Sequence, residues 1–304
     1  MNDAGQGVTV VVPTLNRGTY LLDTVRDLLR QEHRPLEILV VDQSAEGTEQ
    51  MEALAETHSD TISYRRVSFR GLPLARNFGW QNSRYEAVVY VDDDIRCGPG
   101  LVSEHLRALR LPGVGIAGGS IEESPAAKES KGRPGRFNFW TASPVSSFDS
   151  TKECEANHVK GCNFSCWRSV LRECGGVDES LSIGASLYEE TDLSLRARQH
   201  GYKIYFNGRA RLIHLAAGSG GCREKNMTNY VRALSHNRTV LIRRFLRWYQ
   251  VPVAIARLSL LCLAYTFHYR QLEAIPAGVS GFFSGLRDGG RAPLCGDYSG
   301  EVGA

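Results

Sequence analysis

Three consecutive aspartates, Asp92, Asp93 and Asp94, directly follow an apolar run at residues 87–91. Charge repulsion and desolvation would be costly there unless a cation neutralised the carboxylates. Carboxylate oxygens suit Mg²⁺ or Mn²⁺, whose remaining coordination positions are left to phosphate and water. Alternate residues of an extended chain point the same way, so Asp92 and Asp94 are predicted to act together. A solvated acidic turn is the alternative.

A second acidic cluster, Glu189-Glu190-Thr191-Asp192, opens a predicted helix that ends at Gly201. Acidic side chains are favoured at a helix N-terminus, so capping accounts for part of this pattern. The functional hypothesis is that one carboxylate, across a crevice from the metal, accepts the proton of an attacking hydroxyl. The cation would then stabilise a departing diphosphate while the carboxylate activates the nucleophile.

The elements that must position these residues alternate between strands and helices. Apolar runs that predict strands lie at residues 8–12, 37–41, 62–67 and 87–91. Residues 20–29 have apolar side chains at helical spacing. This alternation predicts an α/β fold with a mostly parallel sheet flanked by helices. Because ligands bind at the carboxyl ends of such strands, residues 13–17, 42–44 and 92–94 should line one crevice.

Five segments in this order resemble the family 2 glycosyltransferases, over about residues 8–215. They are VTVVVPTLNR, ILVVDQS, GLPLARNFGWQNSRYEAVVYVDDD, GGVDESL and YEETDLSLRARQHGY. The resemblance implies a Rossmann-like GT-A fold and the inverting transfer of a sugar from a nucleotide-diphosphate donor to a hydroxyl acceptor. It also implies a Mn²⁺ or Mg²⁺ cofactor and a UDP-sugar as the commonest donor.

The resemblance assigns nucleotide and donor contacts residue by residue. Those implied are Pro13, Thr14, Asn16 and Arg17 near the base, Asp42 on the base, Arg76 and Asn77 near the donor, and Asp92, Asp93 and Asp94 in the nucleotide and metal site. Asp92 and Asp94 would form the D-x-D pair that serves ribose and metal. The alternatives are a strand-end turn former for Asp42 and a helix surface for Arg76 and Asn77.

The resemblance also assigns the catalytic base. The family usually has Glu-Asp where this chain has Glu189-Glu190, so Glu190 is the predicted base and Asp192 the reserve candidate. His214 lies where many relatives place a histidine that binds metal or diphosphate, although a lone histidine is often structural. A basic position of the family matches Arg238, for which a basic surface is the alternative.

We predict a catalytic domain at residues 1–220 and a helical extension at 221–304. The first has a nucleotide-binding half at 1–118 and an acceptor half at 119–220, with a long mobile loop at 120–151. Residues 226–248 have a basic helical pattern, and an apolar stretch at 251–265, interrupted by Arg257, follows. About fifteen residues are too few to span a bilayer. A helix on the membrane surface and packing against the chain's own core are the two alternatives.

The chain's formal net charge of +3 and charged fraction of 23% give no reason to expect nucleic-acid binding. The N-terminal residues do not resemble a signal peptide, which predicts a cytoplasmic protein, free or held at the inner face of the membrane by the C-terminal helices. The predicted acceptor is a cell-envelope glycan or lipid-linked sugar, with a small soluble molecule as the alternative. Oligomeric state is not predicted.

Two other functions fit part of this pattern. A nucleotidyltransferase also uses a nucleotide, a metal and carboxylates, but it would normally have a glycine-rich phosphate loop after the first strand, which PTLNRGTY lacks. A catalytically silent nucleotide-sugar binding protein has no need for both acidic clusters. The presence of Asp92, Asp94 and Glu190 therefore favours an enzyme.

Overall fold

The computed structural model describes residues 5–123, 132–145, 147–218, 220–221, 224 and 226–299. The strands are β1 (Val8–Thr14), β2 (Leu36–Asp42), β3 (Ile62–Arg66), β4 (Ala87–Val91), β5 (Ile95–Cys97), β6 (Val114–Glu122), β7 (Arg136–Asn138), β8 (Ser143–Val145), β9 (Glu153–Ala156), β10 (Asn163–Trp167) and β11 (Lys203–His214). The helices are α1 (Gly18–Leu29), α2 (Glu49–Thr57), α3 (Leu72–Asn82), α4 (Leu101–Leu109), α5 (Arg168–Glu173), α6 (Glu189–Gln199), α7 (Met227–Phe245), α8 (Val251–His268) and α9 (Ala274–Gly289).

The central sheet has the strand order β3-β2-β1-β4-β10-β6-β11-β5, with β9 paired to β11. Strands β1 to β4 are mutually parallel, and β11 runs parallel to β6. Strand β10 is antiparallel to both of its neighbours, β4 and β6. The predicted α/β fold with a mostly parallel sheet is therefore confirmed.

Helices cover both faces of the sheet, which explains why β1, β2 and β4 are buried along their whole length. One core contains apolar side chains of α1 and α4, such as Val25 and Leu106. The other contains side chains of α3, α5 and α6, such as Phe78, Leu171 and Leu193. The helices flank the sheet as expected, and they hold the strand ends in fixed positions.

The predicted loop at residues 120–151 is only partly a loop. Strand β6 continues to Glu122, and β7 pairs antiparallel with β8 within this stretch. Phe137 is buried against the C-terminal helices, which gives this hairpin an apolar anchor that an isolated aromatic residue in a sequence does not reveal. Residues 124–131 and 146 of the predicted loop lie outside the described residues.

The predicted C-terminal extension is helical. Helix α7 matches the basic pattern expected at 226–248, and α8 runs for 18 residues rather than the fifteen expected. By length and composition α8 is long and apolar enough to cross a membrane. Only 17% of the helix is buried in the protein, so most of its apolar residues are not covered by the chain's own core. The extra turn comes from residues 266–268, so length no longer excludes a span.

Candidate functional site

The three aspartates lie at the carboxyl end of β4, between β1 and β11. Asp93 is buried, and its carboxylate accepts a 2.7 Å hydrogen bond from the Thr14 hydroxyl. Thr24 of α1 binds the main-chain oxygen of Asp93 at 2.9 Å. Burial raises the pKa of Asp93 to about 7, against the opposing effects of Thr14 and Arg17. Asp93 is therefore tied into the fold, while Asp92 remains partly exposed.

Asp94 and His214 form the part of this strand end that could hold a metal ion. The Asp94 Oδ1 atom lies 3.2 Å from the His214 Nε2 atom, and Asp92 Oδ2 lies 3.7 Å from the same nitrogen. One ligand atom from each of the three residues falls within 4.8 Å of the others. Burial alone would raise the pKa of Asp94, but His214, the Ala217 N–H group and Arg17 lower it to about 2. This donor set of two carboxylates and an imidazole fits a divalent cation.

His214 is the last residue of β11. The end of β11 pairs with β5, the strand that begins directly after the aspartates, and this pairing brings His214 next to them. The hydrogen bond to Asp94 raises the pKa of His214, while burial opposes the shift. Its Nδ1 atom is buried without a hydrogen-bond partner in the described structure. His214 is thus not a satisfied core histidine, which favours the ligand interpretation over the structural one.

Arg17 lies over the aspartates. Its Nη1 atom is 2.8 Å from Asp94 Oδ2, and its Nε atom is 3.7 Å from Asp93 Oδ1. Gly221 approaches the same guanidinium so closely that a Cβ atom there would lie 2.6 Å from Nη2. The Gly221 N–H group also donates to the oxygen of Leu15. The glycine-rich segment after β11 therefore closes over the loop between β1 and α1.

A pocket opens beside these residues at the carboxyl ends of β1, β2 and β4. It is lined by Pro13, Thr14, Leu15, Arg17, Gln43, Leu72, Asp92, Asp93 and Gly221. Asn16, with a positive φ of 55°, is exposed at its edge, and its N–H group donates to the Ser44 hydroxyl. The structure thus brings residues of all three predicted strand ends, 13–17, 42–44 and 92–94, to one pocket.

Asp42 ends β2 beside that pocket. Its Oδ1 atom accepts from the Ser44 N–H group at 2.9 Å, which is the turn geometry of the alternative interpretation. Its Oδ2 atom accepts from the Tyr64 hydroxyl at 2.5 Å. Burial, followed by the hydrogen bond to Asp42, raises the pKa of Tyr64 well above its ordinary value. Both carboxylate oxygens therefore have partners, and contact with a base stays a prediction.

Arg76 lies on the other side of the aspartates, fully buried on α3. Its guanidinium forms a 2.5 Å ion pair with Glu189 and donates to the Gly161 oxygen at 3.0 Å. It also lies over the ring of Phe164, 5.4 Å from the centroid. Glu189, Asp92 and Glu190 all raise the pKa of Arg76, against the lowering effect of burial. Arg76 is not on a helix surface, as the alternative had it, but between the two acidic clusters.

Glu190 is partly exposed next to this ion pair, whereas Glu189 is buried. Burial raises the pKa of both carboxyl groups, and the Glu190 charge raises that of Glu189 further. Arg76 and, more weakly, Lys160 lower the pKa of Glu190. The raised pKa makes Glu190 a stronger base than a solvated glutamate. Glu189 is thus more than a helix-capping residue.

Asp192 is fully buried behind this pair and is held by two arginines. Arg196 binds its Oδ2 atom at 2.7 Å, and Arg244 binds its Oδ1 atom at 2.8 Å. Arg244 also binds Asp178 at 2.6 Å. A carboxylate with both oxygens in buried ion pairs is a poor proton acceptor, so Glu190 is the better candidate base.

Asn77 is fully buried, and its side chain points away from the pocket. Its amide group donates to the Val177 oxygen at 2.7 Å and to Glu179 at 2.8 Å. Its Oδ1 atom accepts from the Val177 N–H group and from Trp80. These bonds join α3 to the GGVDES segment, so the structure does not bring Asn77 into the crevice with Arg76.

Of two neighbours of the site, Lys160 was not predicted and Arg238 was named only as a match to a family position. Lys160 lies close enough to lower the pKa of Glu190, and it forms a 2.6 Å ion pair with Glu123. Arg238 of α7 is buried, donates to the Tyr188 hydroxyl at 2.7 Å and lies over the Tyr188 ring. The basic-surface interpretation of Arg238 is therefore wrong. The family position was the one available signal for Arg238, and a lysine in a Gly-containing loop offered none for Lys160.

The chain is similar to a known protein family, to characterised proteins and to solved structures. The model of glycosyl transferase family 2 matches residues 9–175. A glucosyl-dolichyl phosphate glucuronosyltransferase of Haloferax volcanii is 25% identical over 215 residues, which cover 68% of this chain and 68% of that protein. The family match includes β1, the aspartates and Arg76.

Solved structures share the fold. GalNAc-T7 with UDP, GalNAc and Mn²⁺ superposes with a TM-score of 0.61 at 18% identity, covering 77% of this chain and 48% of that one. The mannosyltransferase PcManGT of Pyrobaculum calidifontis, in complex with GDP-Man and Mn²⁺, has a TM-score of 0.58 at 19% identity, covering 92% and 75%. The chain thus spans about half of the first structure and three quarters of the second.

Proposed function

The chain belongs to glycosyl transferase family 2, and from this premise we propose that it transfers a sugar from a nucleotide-diphosphate donor to a hydroxyl acceptor with inversion at the anomeric carbon. One observation carries the proposal. Arg76 is ion-paired with Glu189 and is close enough to both Asp92 and Glu190 for their charges to raise its pKa, so the two acidic clusters are near one buried guanidinium. A crevice with a cation site on one wall and a raised-pKa carboxylate on the other suits direct displacement of a diphosphate by an activated hydroxyl.

On the donor side, Asp92, Asp94 and His214 would hold the cation. When bound, this cation would neutralise the charge that develops on the departing diphosphate. The imidazole in the set favours Mn²⁺ over Mg²⁺, because Mg²⁺ prefers oxygen ligands alone. The pocket beside Thr14 and Gln43 would receive the nucleoside. The two structural relatives described above are bound to Mn²⁺ with UDP or GDP-Man, which is the chemistry proposed for this chain.

On the acceptor side, Glu190 would take the proton from the attacking hydroxyl. Arg76 fixes the neighbouring Glu189 through a buried ion pair and keeps positive charge next to Glu190. That charge favours the ionised, proton-accepting form of Glu190. Arg76 is therefore a positioning residue for the base. The longer glutamate side chain, where the family usually has aspartate, reaches one methylene further into the crevice.

We propose a UDP-sugar as donor and a cell-envelope glycan or a lipid-linked sugar as acceptor, in the cytoplasm. The Haloferax volcanii relative is named for a lipid-linked acceptor, glucosyl-dolichyl phosphate, which supports the second of these acceptor classes.

Thermal unfolding tests the donor site. The protein is melted with UDP, GDP or dTDP, each with and without Mn²⁺. A ligand at a hundred times its dissociation constant stabilises the native state by about 2.7 kcal/mol, a shift of several degrees in melting temperature. We expect UDP to stabilise only with Mn²⁺, and Asp94→Asn to abolish the shift because it removes one charged ligand.

The matched control is Asp23→Asn, which makes the same change at an exposed position of α1. It should keep the full shift. A nucleotide other than UDP that stabilises only with metal would replace the proposed donor. If none of the nucleotides stabilises the protein, the proposed reaction is wrong and a role without a nucleotide donor must be sought.

A further inference from the structure

The antiparallel hairpin of α8 and α9 presents a large apolar face to solvent. Eight large side chains with exposed fractions of 39% to 65% make up this face. They are Val253, Leu260, Leu263 and Phe267 on α8, Leu272 in the turn, and Ile275, Val279 and Phe283 on α9. Soluble monomers rarely expose a contiguous patch of this kind without a partner. We call these eight residues the hairpin face.

The hairpin face is continuous because of helical periodicity. On α9 its residues recur every fourth position, while glycines on the opposite side pack against α7. On α8 the other side buries Ala254 and Leu258 in the core shared with α7. A groove between the two exposed stripes is also apolar, with Leu258 and Phe282 in its lining. One side of the hairpin therefore packs against α7, and the other side is exposed and can contact a partner.

The charges around the hairpin face are mostly positive. Residues 247–289 contain four arginines, Arg247, Arg257, Arg270 and Arg287, and two acidic residues, Glu273 and Asp288, of which Asp288 is ion-paired with Arg287. Arg257 lies within the apolar stripe of α8, and Arg270 lies in the turn next to Leu272. Apolar side chains surrounded by arginines complement a bilayer that contains anionic lipids, whose headgroups carry phosphate at the level where acyl chains begin.

Aromatic side chains add a third observation. Trp248 is 84% exposed and Tyr249 is 41% exposed in the turn that leads into α8. Tryptophan and tyrosine are enriched at the boundary between headgroups and hydrocarbon, where their rings are apolar and their N–H or O–H groups meet water. These two residues lie at the opposite end of α8 from Arg270, so both ends of the helix have groups that favour the interface.

We propose that the hairpin face docks the protein on an anionic lipid bilayer, with α8 and α9 lying in the plane of the interface. A helix that spans the bilayer is inconsistent with the packing. Leu258 of α8 packs in one apolar cluster with side chains of α7. Helix α7 has Arg232, Arg243 and Arg244 along its length. Crossing the membrane would draw that basic helix into hydrocarbon, whereas lying on the surface leaves α7 in water.

Vesicle sedimentation of the full chain, without nucleotide or metal, tests the proposal. The vesicles are phosphatidylcholine alone or phosphatidylcholine with phosphatidylglycerol. We expect binding to the anionic vesicles, and the triple variant Leu260→Ser, Phe267→Ser, Phe283→Ser to lose it. All three side chains are exposed, so the variant should fold. The control Leu294→Ser replaces a similarly exposed leucine, 59% accessible, outside the hairpin and should bind normally.

A second pair of variants tests the charges. Arg257→Gln with Arg270→Gln should weaken binding to anionic vesicles by about 5-fold for each arginine, and raised salt should have a similar effect on the wild type. The control pair, Arg65→Gln with Arg198→Gln, makes the same change in net charge at exposed positions outside the hairpin and should leave binding unchanged.

Two results would overturn the proposal. One is wild-type protein that stays in the supernatant with both kinds of vesicle. The other is a stable dimer in sedimentation velocity that the serine triple dissociates while vesicle binding is unchanged, since the hairpin face would then join two copies of the chain. Neither result depends on nucleotide binding, so the thermal-shift test of the proposed reaction stands apart from this one.

Discussion

Buried charges at this site have distinct environments although they are close in the sequence. Glu189 forms an ion pair with a fully buried arginine, Glu190 is partly open, and Asp192 is enclosed by two further arginines. Burying a charge is costly unless it is paired. Glu190 shares a hydrogen bond with Glu189, whereas both oxygens of Asp192 are held by arginines, so Glu190 can exchange a proton more readily. This difference, rather than the presence of a carboxylate, distinguishes the candidate base from its neighbours.

This difference predicts the effect of replacing Glu190. Glu190→Gln should lower kcat by a factor of about 100 to 10,000, the usual contribution of a general base, while nucleotide-dependent stabilisation stays intact. Turnover with a UDP-sugar and a supplied acceptor, together with the melting temperature, would measure both. Unchanged kcat in Glu190→Gln would show that another group accepts the proton.

Asp192→Asn is the matched comparison. It leaves Arg196 and Arg244 facing a neutral amide, and breaking a buried ion pair costs about 3 to 5 kcal/mol. We expect a lower melting temperature with a similar kcat for the fraction that remains folded. The two variants thus separate a catalytic carboxylate from a structural one.

Arg76 supports a prediction on pH dependence. Glu190 must be deprotonated to act, and burial raises its pKa, so the acidic limb of the kcat profile should lie above the range of a solvated glutamate. Arg76 opposes that shift. Replacing it in Arg76→Gln removes a positive charge, raises the pKa of Glu190 and moves the limb to higher pH. Arg76→Lys keeps a positive charge, so its limb should lie between those of the wild type and Arg76→Gln.

Kinetics over a pH series, with melting temperatures to confirm folding, would check this. A limb that stays in place or moves to lower pH in Arg76→Gln would contradict the positioning role. A purely structural role would lower the amount of active enzyme without moving the limb.

Among the elements, α7 and α9 are joined by an unusually close contact. Gly281 and Gly285 of α9 lie against the main chain of α7, where an added Cβ atom would come within 2.3 Å of the Arg232 oxygen and 2.4 Å of the His236 oxygen. Backbone atoms cannot rotate out of the way, so side chains larger than hydrogen force the helices apart. The glycines thereby fix the distance between α9 and α7.

Gly281→Ala should therefore destabilise the protein by about 1 to 3 kcal/mol, the usual cost of overpacking, even though alanine is the better helix former. Gly278→Ala is the control, because its Cβ atom would meet only a flexible Val231 methyl group at 3.3 Å. Denaturant unfolding would measure both. Equal stability of the two variants would mean that the helices can separate at little cost.

At the scale of the whole molecule, the C-terminal helices connect the proposed membrane surface to the acceptor side. Helix α7 holds Tyr188 through Arg238, one residue before Glu189, and its other side supports the hairpin. A bilayer docked on the hairpin face would therefore be connected, through α7 and Tyr188, to the segment that carries Glu190, on the proposed acceptor side of the crevice. This arrangement suits an acceptor with a lipid tail, whose sugar must leave the headgroup layer to reach Glu190.

Further along the chain, the last described residues pack against Phe69 and the GGVDES segment. Tyr298 packs against Phe69 at a ring separation of 5.1 Å, and its hydroxyl donates to Glu179. The Gly296 N–H group binds the same carboxylate at 2.9 Å. Because Glu179 also receives Asn77, this segment and α3 share one buried hydrogen-bond network, which a sequence of irregular composition does not reveal.

Local patterns in the sequence were enough to predict the sheet, the strand ends and the acidic residues. Runs of β-branched residues predict buried strands, and parallel strands place their carboxyl ends at one edge, so Thr14 and Asp93 were expected together. The match to a family pattern then pointed to Glu190 and His214. These features depend on residues that are near each other in the chain or that occur in a fixed order.

Tertiary structure alone decided which of the candidate residues have partners. Arg76 and Glu189 are 113 positions apart, and Asp192 meets Arg244 across 52 positions, so no local pattern shows that Asp192 is enclosed in buried ion pairs while Glu190 stays partly exposed. The same holds for α8, since an apolar helix has one composition whether it is buried or exposed. Packing determines which face each helix presents, and packing depends on contacts between distant segments that the residue pattern does not specify.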